Sequence, residues 1–202
     1  MKIKAAKALL NAKAVFFRPE EPFTWASGIQ SPIYCDNRLV LTDPENRQVI
    51  EEGLMELIRE HYPQAEALFG TATAGIPHAA ICGYAMGLPM GYVRSGAKDH
   101  GRTNRIEGRV LPGQKVLVIE DLISTGGSVI SAAKALEEAG AEVIGVVSIF
   151  SYNLQKATDA FAEAGLEYTS LTDFDSACKA AAETGYIKPE DIDYLMEFRN
   201  SL

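Results

Sequence analysis

Cysteine is scarce in this sequence. Only Cys35, Cys82 and Cys178 occur among 202 residues, far apart and odd in number. That excludes a disulfide framework, and the absence of any CxxC spacing excludes a zinc ribbon. Neither His61 nor His78 has a cysteine or carboxylate at metal-ligand spacing, so no metal site made of protein side chains is expected. No uninterrupted apolar run reaches about 18 residues, which excludes a membrane-spanning helix. Basic residues are in deficit, 19 against 27 acidic, for a net charge of −8. A general electrostatic grip on nucleic acid is thereby excluded, and an anionic ligand needs a local site. Unpaired thiols imply a reducing, cytoplasmic setting. The opening MKIKAAKALLNAKAVFF scatters its lysines and reads as a first helix, not a secretory leader.

What is present is ordinary for a globular chain: 47% hydrophobic and 23% charged residues. The length fits one domain, 1–202. The periodicity predicts a first helix over Ile3–Lys13, then a loop and short-strand region over Arg18–Arg38. A capping box, Thr42 with Glu45, opens a second helix that stops before Pro63. On it Val49, Ile50, Leu54, Leu57 and Ile58 form one stripe, with Glu51, Glu52, Glu56 and Arg59 outside. Thereafter short apolar runs (Ala67–Phe69, Met90–Val93, Val116–Ile119, Val143–Ile149) alternate with helical stretches. This is the signature of βαβ units and a parallel sheet covered on both faces, an α/β fold.

The strongest motif is VLVIEDLISTGGS, Val116–Ser128. A buried strand runs into Glu120 and Asp121, then into a hydroxyl- and glycine-rich turn that opens a helix. Ligands of open parallel sheets sit beyond the carboxyl ends of the strands, where the two acids are expected. Backbone N–H groups of Ser124, Thr125, Gly126, Gly127 and Ser128 at a helix start form an anion site. Carboxylates beside a phosphate cradle need another partner, and ribose hydroxyls or a metal ion held by them fit. The motif points to a phosphorylated sugar. A Walker B strand would need a Walker A partner, but Gly70–Gly75 continues into Ile76–Pro77 instead of Lys-Ser/Thr.

Arg94–Arg109 is a second signal. Five basic residues (Arg94, Lys98, Arg102, Arg105, Arg109) face two acids there, Asp99 and Glu107. A local charge of +3 and three glycines suit a lid over a polyanion.

VLVIEDLISTGGS resembles the phosphoribosyl pyrophosphate (PRPP) motif of type I phosphoribosyltransferases. Tyr92-Val-Arg94…Lys98-Asp-His100-Gly101 is similar to the catalytic loop of the orotate phosphoribosyltransferase family. FTWASGIQSPIYCDNR, Phe23–Arg38, resembles that family's N-terminal orotate segment. The resemblance implies a parallel-sheet fold with helices on both faces and a hood from residues 1–40. It implies transfer from PRPP to orotate, giving orotidine 5′-monophosphate and pyrophosphate, within pyrimidine synthesis. Catalysis would fall to Lys98, His100 and Asp121. PRPP would be held by Arg94, Lys98, His100, Glu120, Asp121, Leu122, Ile123 and Ser124–Ser128 (Ser124, Thr125, Gly126, Gly127, Ser128). Orotate would meet Ser124 and Ser27, with Gly28 and Ser31 as further donors. Gly70–Gly75 would meet pyrophosphate through its backbone. Mg²⁺ is the implied cofactor, carried mostly by substrate oxygens and water. A homodimer sharing the lid, residues 94–109, between subunits is implied, with no nucleic acid or membrane partner. Ser95 stands where many members have a second lysine. Ala26 stands where some have lysine, and Phe150–Asn153 where some have an arginine. Two other readings are a transferase for another nucleobase and a PRPP-sensing regulator without turnover.

Overall fold

The computed structural model describes residues 1–24, 30–96 and 105–202. Its centre is a six-stranded sheet in the order β10-β9-β8-β5-β6-β7. The strands are β5 (Ala67–Thr71), β6 (Met90–Val93), β7 (Ile106–Glu107), β8 (Lys115–Ile123), β9 (Glu142–Ser151) and β10 (Tyr168–Asp173). All neighbours pair in parallel except β7, which runs antiparallel to β6 at the edge. The expected parallel sheet is thus present with one reversed strand, inside the stretch read as loop. A two-residue strand carries too little pattern to be seen in sequence.

Alternation along β8 shows how the sheet is covered. Leu117 and Ile119 pack on one face with α1 (Lys2–Asn11), α2 (Pro44–His61), α3 (Gly75–Met86), α6 (Phe174–Glu183) and α7 (Asp191–Asn200). Val116 and Val118 pack on the other with α4 (Gly127–Glu138) and α5 (Gln155–Ala164). Period-2 side chains that are apolar on both faces are what a doubly covered strand requires. The N-terminal segment adds two small antiparallel ladders. In them β1 (Val15–Phe17) pairs with β4 (Ile33–Cys35), and β2 (Phe23–Thr24) with β3 (Gln30–Ser31). A 3₁₀ helix, Asn37–Thr42, leads from this hood into α2.

Two details of α2 correct the sequence reading. The N-cap is Asp43, whose carboxylate accepts from Asn46 N at 3.2 Å. Thr42 instead donates its hydroxyl to Leu39 O, because the 3₁₀ turn before α2 uses it up. Glu51 does not lie outside the apolar stripe. It is buried, accepting at 2.7 Å from His78 Nδ1 on α3 and at 3.4 Å from Cys82 Sγ. A buried carboxylate is tolerable when hydrogen-bonded in this way, and α3 supplies both partners. His78 is fully buried and His61 exposed.

Candidate active site

The site begins with unequal strand lengths. β8 stays paired with β9 as far as Ile123, but its pairing with β5 ends at Gly70 opposite Ile119. Glu120 and Asp121 therefore belong to the strand itself, not to the turn after it. They still lie beyond the carboxyl end of the neighbouring strand, facing the gap left there. Around that gap is a cleft of about 400 Å³, lined by Glu120, Asp121, Leu122 and Ser128. Ala72, Thr73 and Ala74 line it from the β5–α3 loop, and Cys35, Asp36 and Arg38 from the hood.

Glu120 is buried, and its Oε1 accepts the Asp121 backbone N–H at 2.9 Å. Burial first, and the Asp121 side chain second, hold its carboxyl well above the ordinary value of 4.5. Both effects disfavour a second negative charge in the floor of the cleft. The sign of the stability effect follows. A carboxyl whose folded pKa is raised gives a contribution complete below its unfolded value and lost as pH climbs toward the folded one. Glu120→Gln, which cannot ionise, should therefore gain on the wild type between about pH 5 and pH 9, by several degrees of thermal midpoint. Melting curves across that range check it, and a difference independent of pH contradicts it.

The turn after β8 has the expected anion geometry. Gly126 is the N-cap of α4 at φ 80°, with no side chain capping the helix and no acid in its first turn. The first amide hydrogens of α4 are thus left to an external acceptor. Gly126 is required twice over, since an added Cβ would also sit 2.7 Å from Phe161 Cε2. A Cβ on Gly127 would meet nothing within 4 Å, so the helix start is open to solvent. Ser124, Thr125 and Ser128 are exposed beside it. Ile123 contributes differently: its side chain is in the core and its carbonyl accepts from Tyr152 N at 3.0 Å. Leu122 is half-buried and packs on the core beneath the cleft.

The opposite wall, residues 72–74, is held close by two glycines. A Cβ on Gly70 would lie 2.6 Å from Gly75 O, and one on Gly75 would lie 2.3 Å from Ile119 O. Ala72 N donates to Val93 O at 2.8 Å, tying this wall to the root of the 94–109 segment. At that root Arg94 Nε stands 3.5 Å from Glu107 Oε1, and Arg94 does not line the cleft. Lys98, His100 and Ser27, with Gly28, lie outside the described residues. Ser31 is buried, and its hydroxyl donates to Ile33 O at 2.7 Å. Asp36, Asn37 and Arg38 were not singled out in the sequence, although an acid two residues before an arginine is a signal for local pairing.

A parallel sheet with an open anion cradle at a helix start, and paired acids beside it, defines a protein that takes a phosphorylated sugar. It is the architecture of a phosphoribosyltransferase. Residues 41–179 match the family model for the phosphoribosyl transferase domain. The orotate phosphoribosyltransferase of Bacillus subtilis is 58% identical over 196 residues, covering 97% of this chain and 91% of that one. Among solved structures, the orotate phosphoribosyltransferase of Aeropyrum pernix superposes with a TM-score of 0.78 at 27% identity, covering 90% of this chain and 98% of that one. That of Mycobacterium tuberculosis in complex with PRPP gives 0.68 at 26%, covering 87% and 98%. The chain belongs to the orotate phosphoribosyltransferase family.

Proposed function

We propose that this chain transfers the phosphoribosyl group of PRPP to orotate, releasing pyrophosphate and forming orotidine 5′-monophosphate for pyrimidine synthesis. The observation that carries this reading is the cleft joining Glu120 and Asp121 to the uncapped start of α4. In this assignment the amides of Ser124–Ser128 hold the 5′-phosphate, and Glu120 and Asp121 accept from the ribose hydroxyls. Residues 72–74 face the diphosphate through their backbone. A bond forms between orotate N1 and C1′ as the bond from C1′ to the diphosphate oxygen breaks, and the proton from N1 leaves with the diphosphate. The positive charge that develops on the ribosyl centre is stabilised by the Asp121 carboxylate. Lys98 and His100 meet the departing diphosphate, Arg94 orients it, and Ser124 and Ser27 touch orotate.

Asp121 puts hard carboxylate oxygens in the cleft, the donor chemistry that Mg²⁺ takes. When bound with the diphosphate, Mg²⁺ neutralises charge on the leaving group. Substrate oxygens and water would carry most of its coordination, with Asp121 as the carboxylate the chain offers. Among the described residues no helix is long and apolar enough to cross a membrane. With three free thiols, a cytoplasmic enzyme is the setting we infer. We read the chain as one domain acting as a homodimer, residues 1–40 forming a hood over the base and 94–109 a lid lent to the partner's site.

Pyrophosphate release in the presence of orotate, PRPP and Mg²⁺ tests the assignment. Release that needs both substrates, and falls about 10²-fold in Asp121→Asn, is the expected result. PRPP binding without release would leave a sensor, not an enzyme.

A further inference from the structure

Orotate carries a carboxylate, yet the cleft is acidic. Its described lining holds Asp36, Glu120 and Asp121 against one cation, Arg38. A carboxylate moved into such a place without a cationic partner would lose its hydration for nothing.

The placement of Arg38 is specific. Its Nε and Nη2 donate to the two oxygens of Asp36, each at 2.7 Å, so Asp36 occupies one edge of the guanidinium. Asp36 also accepts the Arg38 backbone N–H at 3.2 Å, fixing main chain and side chain together. The remaining edge, formed by Nη1 and the second hydrogen of Nη2, has no partner among the described residues. Two parallel N–H groups on that edge match a carboxylate. Asn37, between these residues, is buried, and its Nδ2 donates to Asp121 O at 2.8 Å. The Asp-Asn-Arg tripeptide is thereby locked in register with the strand that carries the acid pair. The Arg38 side chain remains 63% exposed, and the Asn37 tether beside it runs across 84 residues of sequence.

We propose that Arg38, with Asp36 as its positioning residue and Asn37 as its tether to β8, receives the carboxylate of orotate and sets the preference for an acidic pyrimidine. This rests on the phosphoribosyl-transfer reading above.

The test compares two product nucleotides by titration calorimetry. Orotidine 5′-monophosphate has the carboxylate, uridine 5′-monophosphate lacks it, and both share the 5′-phosphate that anchors them. In Arg38→Ala the Kd for the first should rise about 10²-fold. The Kd values for uridine 5′-monophosphate and PRPP should stay within about threefold. Arg38→Lys keeps the charge but not the fork, and should lose about tenfold. Asp36→Asn should raise the orotate KM with kcat retained. If PRPP weakens while the ratio between the two nucleotides is kept, Arg38 grips the diphosphate and the proposal is overturned. Equal weakening of both nucleotides makes Arg38 merely structural and overturns it too. Should the wild type bind neither nucleotide, the phosphoribosyl reading itself fails, which is a different result.

Discussion

Lys98→Ala and Asp121→Asn subunits should each be nearly inactive alone and should regain activity when mixed. Lys98 is assigned to the lid lent by one subunit, and Asp121 to the floor of the other's cleft. In a twofold dimer each site then combines the floor of one chain with the lid of its mate. A mixed dimer has one site with both defects and one with neither. With free exchange and equal amounts, half the dimers are mixed and half their sites intact, so about a quarter of wild-type activity should return. Each homodimer should lie about 10²-fold or more below wild type, because a cation at the leaving group and a carboxylate at the ribosyl centre act chiefly in the transition state. Steady-state pyrophosphate release before and after subunit exchange measures it. Full activity of Lys98→Ala alone would remove the lid assignment, and no recovery after confirmed exchange would confine each site to one chain.

Gly75→Ala should be among the most damaging added methyls at the described glycines. The new carbon would be placed 2.3 Å from Ile119 O and 2.8 Å from Thr71 Oγ1. Both are strand groups, and Thr71 Oγ1 already donates to Ile119 O at 3.3 Å. The Ile119 carbonyl is backbone and cannot swing aside as a flexible side chain could, so α3 must lift from β8. Overpacking of this kind costs about 1–3 kcal/mol and more where backbone is the obstacle. That corresponds to a fall of roughly 2–12 °C in Tm for a chain of this size. The same shift widens the gap between residues 72–74 and the acid pair, so PRPP should bind at least about tenfold more weakly. Gly96→Ala, whose methyl meets nothing within 4 Å, should leave Tm within about 1 °C. Calorimetric melting and PRPP titration check both, and equal Tm for the two variants would contradict the close-packing account.

Local pattern made much of this legible. Apolar runs bounded by glycines marked the strands, and the sequence from Val116 to Ser128 carried strand, acids, turn and helix in one piece. Ligand chemistry could be read there because every part is local. What escaped is long-range. Asn37 reaches Asp121, and Glu51 meets His78 and Cys82 on another helix. No spacing rule reports such contacts, and an acid on a helix defaults to the solvent face. Strand ends escaped as well: polar Glu120 and Asp121 look like loop, but β9 keeps pairing with β8 past them. The choice between Thr42 and Asp43 as N-cap was decided by the 3₁₀ turn, which claims the threonine first.

A crystal structure of this protein with PRPP and Mg²⁺ tests the central claim most directly. The account predicts the sugar's 5′-phosphate on the amides of residues 124–128, with both ribose hydroxyls on Glu120 and Asp121. A donor seated elsewhere, with that turn left empty, would contradict it.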